Sequence, residues 1–305
     1  IKTVSPTLSK IQLKICKEAG VQHLIPSTPA KILSFELHNT IPEFANMIRV
    51  FINSRLNVFS LTFKNTDIKT DDDFIILDKL RKSIQLIPIK QIKSLSFQLN
   101  VVNTTDKIMP IYSSDLIQKN GNKKEKYMSQ TICIEKLKPG KSLSIKKIEP
   151  EIGNSYLNGA RFSYPGKVMY EVIGDIKESC MVKDPTSYKL TLGQQRFIDP
   201  KIMVRQSIIE IKKSLSNLKN FTNNKLFSVK YHTKSSATIK LINETVQLCN
   251  CVCKYIYKLD PTIEYIAAEN PHVEYNYSHI KIKHSNIQSI VKKAVIILEK
   301  DLDKV

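Results

Sequence analysis

The chain has 305 residues, a formal net charge of +19 and 42% hydrophobic residues. That is enough apolar material for two or three cored domains and argues against wholesale disorder, while no apolar run approaches the ~18 residues of a membrane span. The cationic excess suits a nucleic-acid surface, but only six of the 47 basic residues are Arg, the better bidentate reader of phosphates, so Lys and Ile abounding together also read as AT-rich coding bias.

Residues 1–30 read as an irregular extension broken by Pro6, Pro26 and Pro29. A strand is predicted over 31–38. A helix over 42–55 follows, with Thr40 and Glu43 as a capping box around Pro42 and with Phe44, Ile48, Phe51 and Ile52 on one face. A strand at 58–64 precedes Asp71-Asp72-Asp73, which is expected to open a helix running to about Ser83. Residues 91–180 read as mostly β, with strands at 95–102, 131–137 and 142–148, a polar loop at 120–126 and a turn at Pro139-Gly140. A strand at 188–192 leads to Asp199-Pro200, which caps a long helix to about Phe221. Its stripe of Ile208, Ile211, Leu215 and Leu218 has the spacing of a helix packed on a helix. After a polar joint at 221–225, strands at 226–231 and 237–242 lead to a helix over 245–258 with Asn243 as its cap. A strand at 273–283 and a closing helix at 286–302 complete the chain, the latter with Ile290, Ala294 and Ile297 on its apolar side.

Thirty residues near the start are echoed 204 positions later without a gap. Phe35 to Asn39, Phe44 to Ile48 and Phe51-Ile52 match Ile239 to Asn243, Leu248 to Val252 and Tyr255-Ile256. Apolar residues match apolar ones, and Asn matches Asn twice. Each copy reads as a strand, a polar break and an amphipathic helix. Two such units can pair their helices in a four-helix seam with sheets outside.

Phe44-Ala45-Asn46-Met47-Ile48-Arg49-Val50 resembles the signature helix of the α-like subunits of multisubunit DNA-directed RNA polymerase. Leu248-Cys249-Asn250-Cys251-Val252 resembles that of the smaller α-like partner. In order, 72–89, Ser113-Ser114-Asp115-Leu116, Leu137 to Leu143 and Pro271-His272 are similar to further family segments, so the resemblance covers about 31–305. It implies an α+β fold in which two α-like dimerisation units form an intramolecular pseudo-dimer. The first unit is 31–62 with 183–222, a mostly β domain at 63–182 is inserted in it, and the second unit is 225–305. It also implies a non-catalytic assembly platform for transcription on which two large catalytic subunits dock. Small zinc-binding subunits are further partners, DNA and RNA are met only through the complex, and no membrane is involved. Such fused chains resemble those of large DNA viruses, implying a cytoplasmic location, in host cytoplasm and virion. The alternative is an independent basic nucleic-acid-binding protein.

The resemblance assigns Asn46, Arg49 and Asn250 to the large-subunit interface. It places Phe44, Ile48, Phe51, Ile208, Ile211, Leu215, Leu248, Val252, Tyr255, Ile290, Ala294 and Ile297 in the intramolecular seam. Two departures stand out, since Val50 and Cys253 replace family arginines. No cofactor is expected in this chain, with Mg and Zn belonging to other subunits. Cys249, Cys251 and Cys253 share a helix but not a face, because i+2 points elsewhere, and only Cys133 and Cys180 fall in the inserted region. The uneven cysteine spacing suits a reducing compartment. Asp71-Asp72-Asp73 could suggest a magnesium cluster, but a helix N-terminus accounts for it better.

Overall fold

The computed structural model describes residues 2–4, 32–89, 95–120, 128, 131–163, 168–173, 186–193, 198–272 and 275–305. The prolines at 6, 26 and 29, Cys16, Cys180, most of the 120–126 loop and the first residues of the 273–283 strand lie outside them. In chain order come β1 (Lys2–Val4), β2 (Ile32–Leu37) and α1 (Pro42–Ser54). Next are β3 (Val58–Thr62), β4 (Ile68–Thr70), α2 (Leu77–Gln85), β5 (Ser96–Val102), β6 (Met109–Tyr112), β7 (Ile117–Asn120), β8 (Cys133–Leu137), β9 (Ser142–Gly153) and the short α3 (Ser155–Asn158). Then follow β10 (Met169–Val172), β11 (Tyr188–Gly193) and α4 (Pro200–Asn220). The chain ends with β12 (Phe227–Thr233), β13 (Ser236–Ile242), α5 (Val246–Leu259), β14 (Tyr265–Glu269), β15 (Tyr277–Lys283) and α6 (Ile287–Leu302).

Two antiparallel sheets have the same plan. One runs β1-β2-β11-β10 and the other β12-β13-β15-β14. Each is built by two strands, a helix, two strands and a helix, with the segment from β3 to α3 interrupting the first set. Register agrees as well, with Phe35 opposite Leu190 in one sheet and Ile239 opposite Ile280 in the other. Strand alternation turns Leu33, Phe35 and Leu37 inward, and their echoes Ala237, Ile239 and Leu241 do the same.

The helices repeat the correspondence. α1 buries Phe44, Ala45, Met47, Ile48, Phe51 and Ile52. α5 buries the residues 204 positions on, Leu248, Cys249, Cys251, Val252, Tyr255 and Ile256, and adds Cys253. Helix α1 packs on α4 and α5, and α6 packs on α4 and α5. Both sheets and these four helices feed one hydrophobic cluster. Each large side chain buried there contributes about 1.5–3 kcal/mol, so the helix faces hold the two sheets in a common core. Ion pairs from Lys219 to Glu299 (2.6 Å) and from Lys212 to Asp303 cross from α4 to α6. The intervening segment forms β3-β9-β5-β7, with β4 on β9 and a separate β6-β8 pair, around its own cluster of Leu61, Leu80, Ile84, Phe97, Ile145 and others.

Several local expectations give way to the structure. Asp71 to Asp73 do not start a helix, since α2 begins at Leu77. Asp72 instead accepts the backbone N–H groups of Phe74 (3.1 Å) and Lys138 (3.0 Å), and Asp71 accepts that of Ser142 (2.6 Å). These side-chain-to-backbone bonds compete with helix and staple the segment to the β8–β9 turn. Thr40 and Glu43 form no capping box, because the cap position falls on Ile41, which makes no side-chain bond. Asn243 is not the cap of α5 either: Thr245 accepts from the Leu248 N–H at 3.3 Å. Asn39 and Asn243 occupy equivalent left-handed positions, φ 54° and 60°, where each strand turns into its helix. Asn tolerates this conformation better than most residues. Finally, β1 and β10 join the first sheet from segments read as extension and inserted domain. They have three and four residues, too few for alternation to reveal them.

Candidate docking face and inter-sheet clasp

Asn46 and Arg49 lie one helical turn apart on α1 and are both half-buried. The Asn46 carboxamide oxygen accepts from Arg49 Nε at 3.0 Å and from a terminal guanidinium nitrogen at 2.7 Å. The guanidinium also stands 5.7 Å from the centre of the Tyr170 ring on β10. It is therefore held in one orientation by two hydrogen bonds and a cation–π contact. Around it Asn53, Val168, Met169, Tyr170 and Glu171 line a cleft of about 550 Å³. Among the described residues β10 is the edge strand of its sheet, and it leaves Met169 52% and Val172 43% exposed. An oriented arginine beside exposed apolar residues on a sheet edge has the chemistry of a protein-docking surface.

The second copy differs at this point. Asn250 is exposed, and Cys253, at the position equivalent to Arg49, is only 8% exposed and takes part in the core. The structure thus brings Asn46 and Arg49 together and sets Asn250 apart on α5.

Of the residues read as seam, Phe44, Ile48, Phe51, Ile211, Leu215, Leu248, Val252, Tyr255, Ile290 and Ala294 are buried in the shared cluster, and Ile208 packs on it half-buried. Ile297 is the exception at 38% exposure. The inward stripe of α6 is Ile287, Val291, Ala294, Val295, Leu298 and Leu302 with Ile290 at one margin. Ile297 turns about 100° from the middle of that stripe, by the helical period. Tyr255 donates its hydroxyl to Asp301 at 2.8 Å, tying α5 to α6, and burial pushes the phenol pKa up. Cys249 and Cys251 are fully buried, and desolvation holds both thiols well above the ordinary range, which makes them inert packing groups.

A second polar constellation carries no motif in the sequence. Arg55, just past the end of α1, donates to the Asn243 carbonyl at 2.6 Å and to the Glu244 carboxylate at 3.1 Å. Both side chains are nearly buried, at 12% and 9% exposure. The guanidinium lies 4.9 Å from the Tyr156 ring centre and 5.5 Å from that of Phe51. Tyr156 and Ser278 both donate hydroxyls to the Glu244 carbonyl, at 2.8 and 2.9 Å. Burial pushes the Glu244 carboxyl up from its ordinary range, while Arg55 and then the Ser214 hydroxyl pull it back. This clasp joins α1, α3 and the β13–α5 turn. Its only sequence signal is that Arg55 is one of six arginines in a lysine-rich chain.

No protein-family profile matches the chain. It is similar to proteins described as "DNA-directed RNA polymerase RPB3-11 homolog" from African swine fever virus. The relative from isolate Tick/South Africa/Pretoriuskop Pr4/1996 is 28% identical over 276 aligned residues, covering 79% of this chain and 73% of the relative. The relative from strain Badajoz 1971 is 26% identical over 312 aligned residues, covering 88% and 84%.

Proposed function

We propose that this chain is the fused α-like assembly platform of a DNA-directed RNA polymerase, a non-catalytic subunit on which the two large catalytic subunits dock. The observation that carries the reading is the pair of four-stranded sheets with one strand order on a common four-helix core, in a chain similar to viral proteins named as polymerase subunit homologues. Residues 31–62 with 183–222, joined by β1 and β10, and residues 225–305 act as the two halves of an intramolecular pseudo-dimer, and the rest of 63–182 is the inserted domain. Joining the halves in one chain replaces a concentration-dependent association by an intramolecular one. Asn46, Arg49 and the β10 edge receive one large subunit, and Asn250 marks the weaker, second contact. Nucleotide addition, with its Mg, and the structural Zn belong to other subunits, including small zinc-binding ones. The complex acts in the host cytoplasm and is carried in the virion. Among the described residues no helix is long and apolar enough to cross a membrane.

The test is co-expression of the tagged chain with the two large subunits. Arg49→Glu combined with Asn46→Ala should reduce recovery of the large subunits at least tenfold while the thermal unfolding of the isolated chain stays within a few degrees. Undiminished recovery removes the docking role, and no recovery with the unmutated chain removes the platform reading itself.

A further inference from the structure

The outer face of the second sheet carries a column of rings that the assembly role leaves unused. Along β15 and the turn before it, His272 and Tyr275 have ring centres 5.3 Å apart, Tyr275 and Tyr277 stack at 5.2 Å with an 11° tilt, and Tyr277 and His279 follow at 5.1 Å. Lys240 on β13 reaches across with its Nζ 3.8 Å from the Tyr277 ring centre. Strand alternation puts Lys230 of β12 and Lys281 of β15 on the same face, opposite the buried Ile239, Ile280 and Ile282. Lys281 is shared with Glu269 at 2.8 Å. Lys230 and Lys240 have no carboxylate within ion-pair distance among the described residues. Tyr275, between His272 and Tyr277 in the column, is 50% exposed.

The first sheet, built to the same plan, has no such ring column among the described residues, although by register Lys2 stands where the second has Lys230. Glu36 stands where the second sheet has Lys240, and by register Ser187 and Lys189 stand where it has Tyr277 and His279. The ring column is therefore not a requirement of the fold. Stacked rings flanked by lysines on an open antiparallel sheet have the chemistry that takes unpaired bases and their phosphates, because every base offers a π-face and every linkage a charge.

We propose that this face binds single-stranded nucleic acid, with a base stacked at the His272–Tyr275 end of the column and phosphates at Lys230 and Lys240. The site belongs to this chain alone and does not depend on the docking of large subunits. It gives the chain a direct contact with a nucleic-acid strand, beyond contacts made through other subunits.

The test is fluorescence anisotropy of the isolated full-length chain with fluorescein-labelled dodecauridylate over a range of salt concentrations. Tyr275→Ala is expected to weaken binding about tenfold. Lys240→Glu, which copies the first sheet, is expected to weaken it as much and to reduce the salt dependence, since each neutralised phosphate contributes about 0.7 to the single-strand slope. Replacing Lys293 and Lys300 of α6 by Gln removes two charges from the helix layer, which packs on the sheet face opposite the ring column, and is expected to change binding less than twofold. The proposal is overturned if the α6 pair weakens binding as much as Lys240→Glu, if Tyr275→Ala binds like the parent, or if the parent does not bind. A duplex of the same length should bind more weakly than the single strand, and equal binding would also overturn the stacking role. Circular dichroism melts confirm that each variant is folded, and Tyr275→Phe, which retains the ring, should restore parental affinity.

Discussion

Arg55 and Leu259 occupy equivalent places, 204 residues apart, just beyond or at the end of paired helices. Arg55 reaches the turn of the other sheet and closes on Glu244, whereas Leu259 is 39% exposed, and the residue equivalent to Glu244 is Thr40. The two units share strand order, register and the buried face of the helix, yet only one of the two helix ends makes a buried ion pair. The same fold can therefore be repeated by apolar pattern alone, while the fit between copies is decided by a few polar residues that the pattern does not contain. In a pairing of two first units Arg55 would meet Thr40, and in a pairing of two second units Glu244 would meet Leu259. Each arrangement buries a charge without its counter-charge, which is strongly unfavourable.

The largest test of that asymmetry is to remove one side of the clasp. Arg55→Met should destabilise the chain by about 3–5 kcal/mol, because Glu244 is left buried without its cation. Adding Glu244→Gln should recover a large part of that loss. Urea unfolding of the parent, both single variants and the double variant gives the coupling. Additive losses would mean that the pair acts as two independent residues. Leu259→Arg should change little, since no carboxylate faces it from Thr40.

A smaller effect tests what the copies have in common. Asn39→Ala and Asn243→Ala should each cost about 1–2 kcal/mol, the penalty of forcing an ordinary residue into a left-handed backbone. The substitution to Gly should be close to neutral at both sites. The Asn243 carbonyl that receives Arg55 belongs to the backbone, so its Ala variant keeps that bond. Equal losses at the two sites, read from urea midpoints, would confirm that the strand-to-helix turn is one device used twice. A much larger loss at 243 would show that the turn and the clasp are coupled.

These comparisons also mark how far the sequence could be read. The gapless echo placed both helices to within a residue or two, because apolar residues at i, i+3, i+4 and i+7 fit a buried helix face and little else. It likewise identified β2 and β13 by alternation. It could not reveal β14, whose Tyr-Ile-Ala-Ala-Glu is weak in strand-forming residues, nor β1 and β10, which gain their pairing from partners far along the chain. Asn46 and Arg49 were legible as neighbours on one turn, but the Tyr170 ring that orients Arg49 comes from 121 residues away. The clasp was illegible for the same reason. Arg55, Tyr156 and Glu244 meet only after the core has formed, and nothing local in the sequence links them.

The smallest effect contrasts two buried carboxyls in different parts of the molecule. Glu244 in the clasp has its pKa raised above the ordinary 4.5 by burial, and Asp72 in the inserted segment has its pKa lowered below 3.8, first by the Lys138 backbone N–H. The folded state binds the Glu244 proton more tightly than the unfolded state does. The stability contributed by that group is full below about pH 4.5 and declines as pH rises through the folded value. For Asp72 the sign reverses: its contribution is present above 3.8 and is lost as pH falls through the lowered folded value. Subtracting the unfolding free energy of Glu244→Gln from that of the parent, between pH 4 and 8, should leave a curve that falls with pH and then levels. The same difference for Asp72→Asn, taken from pH 5 downward, should fall toward acid. If both differences fall toward acid, the two carboxyls are alike, and Glu244 is held as a stabilised anion by Arg55 and not as a desolvated one. The sign of a single slope therefore decides whether burial or the counter-charge dominates at the junction of the two sheets.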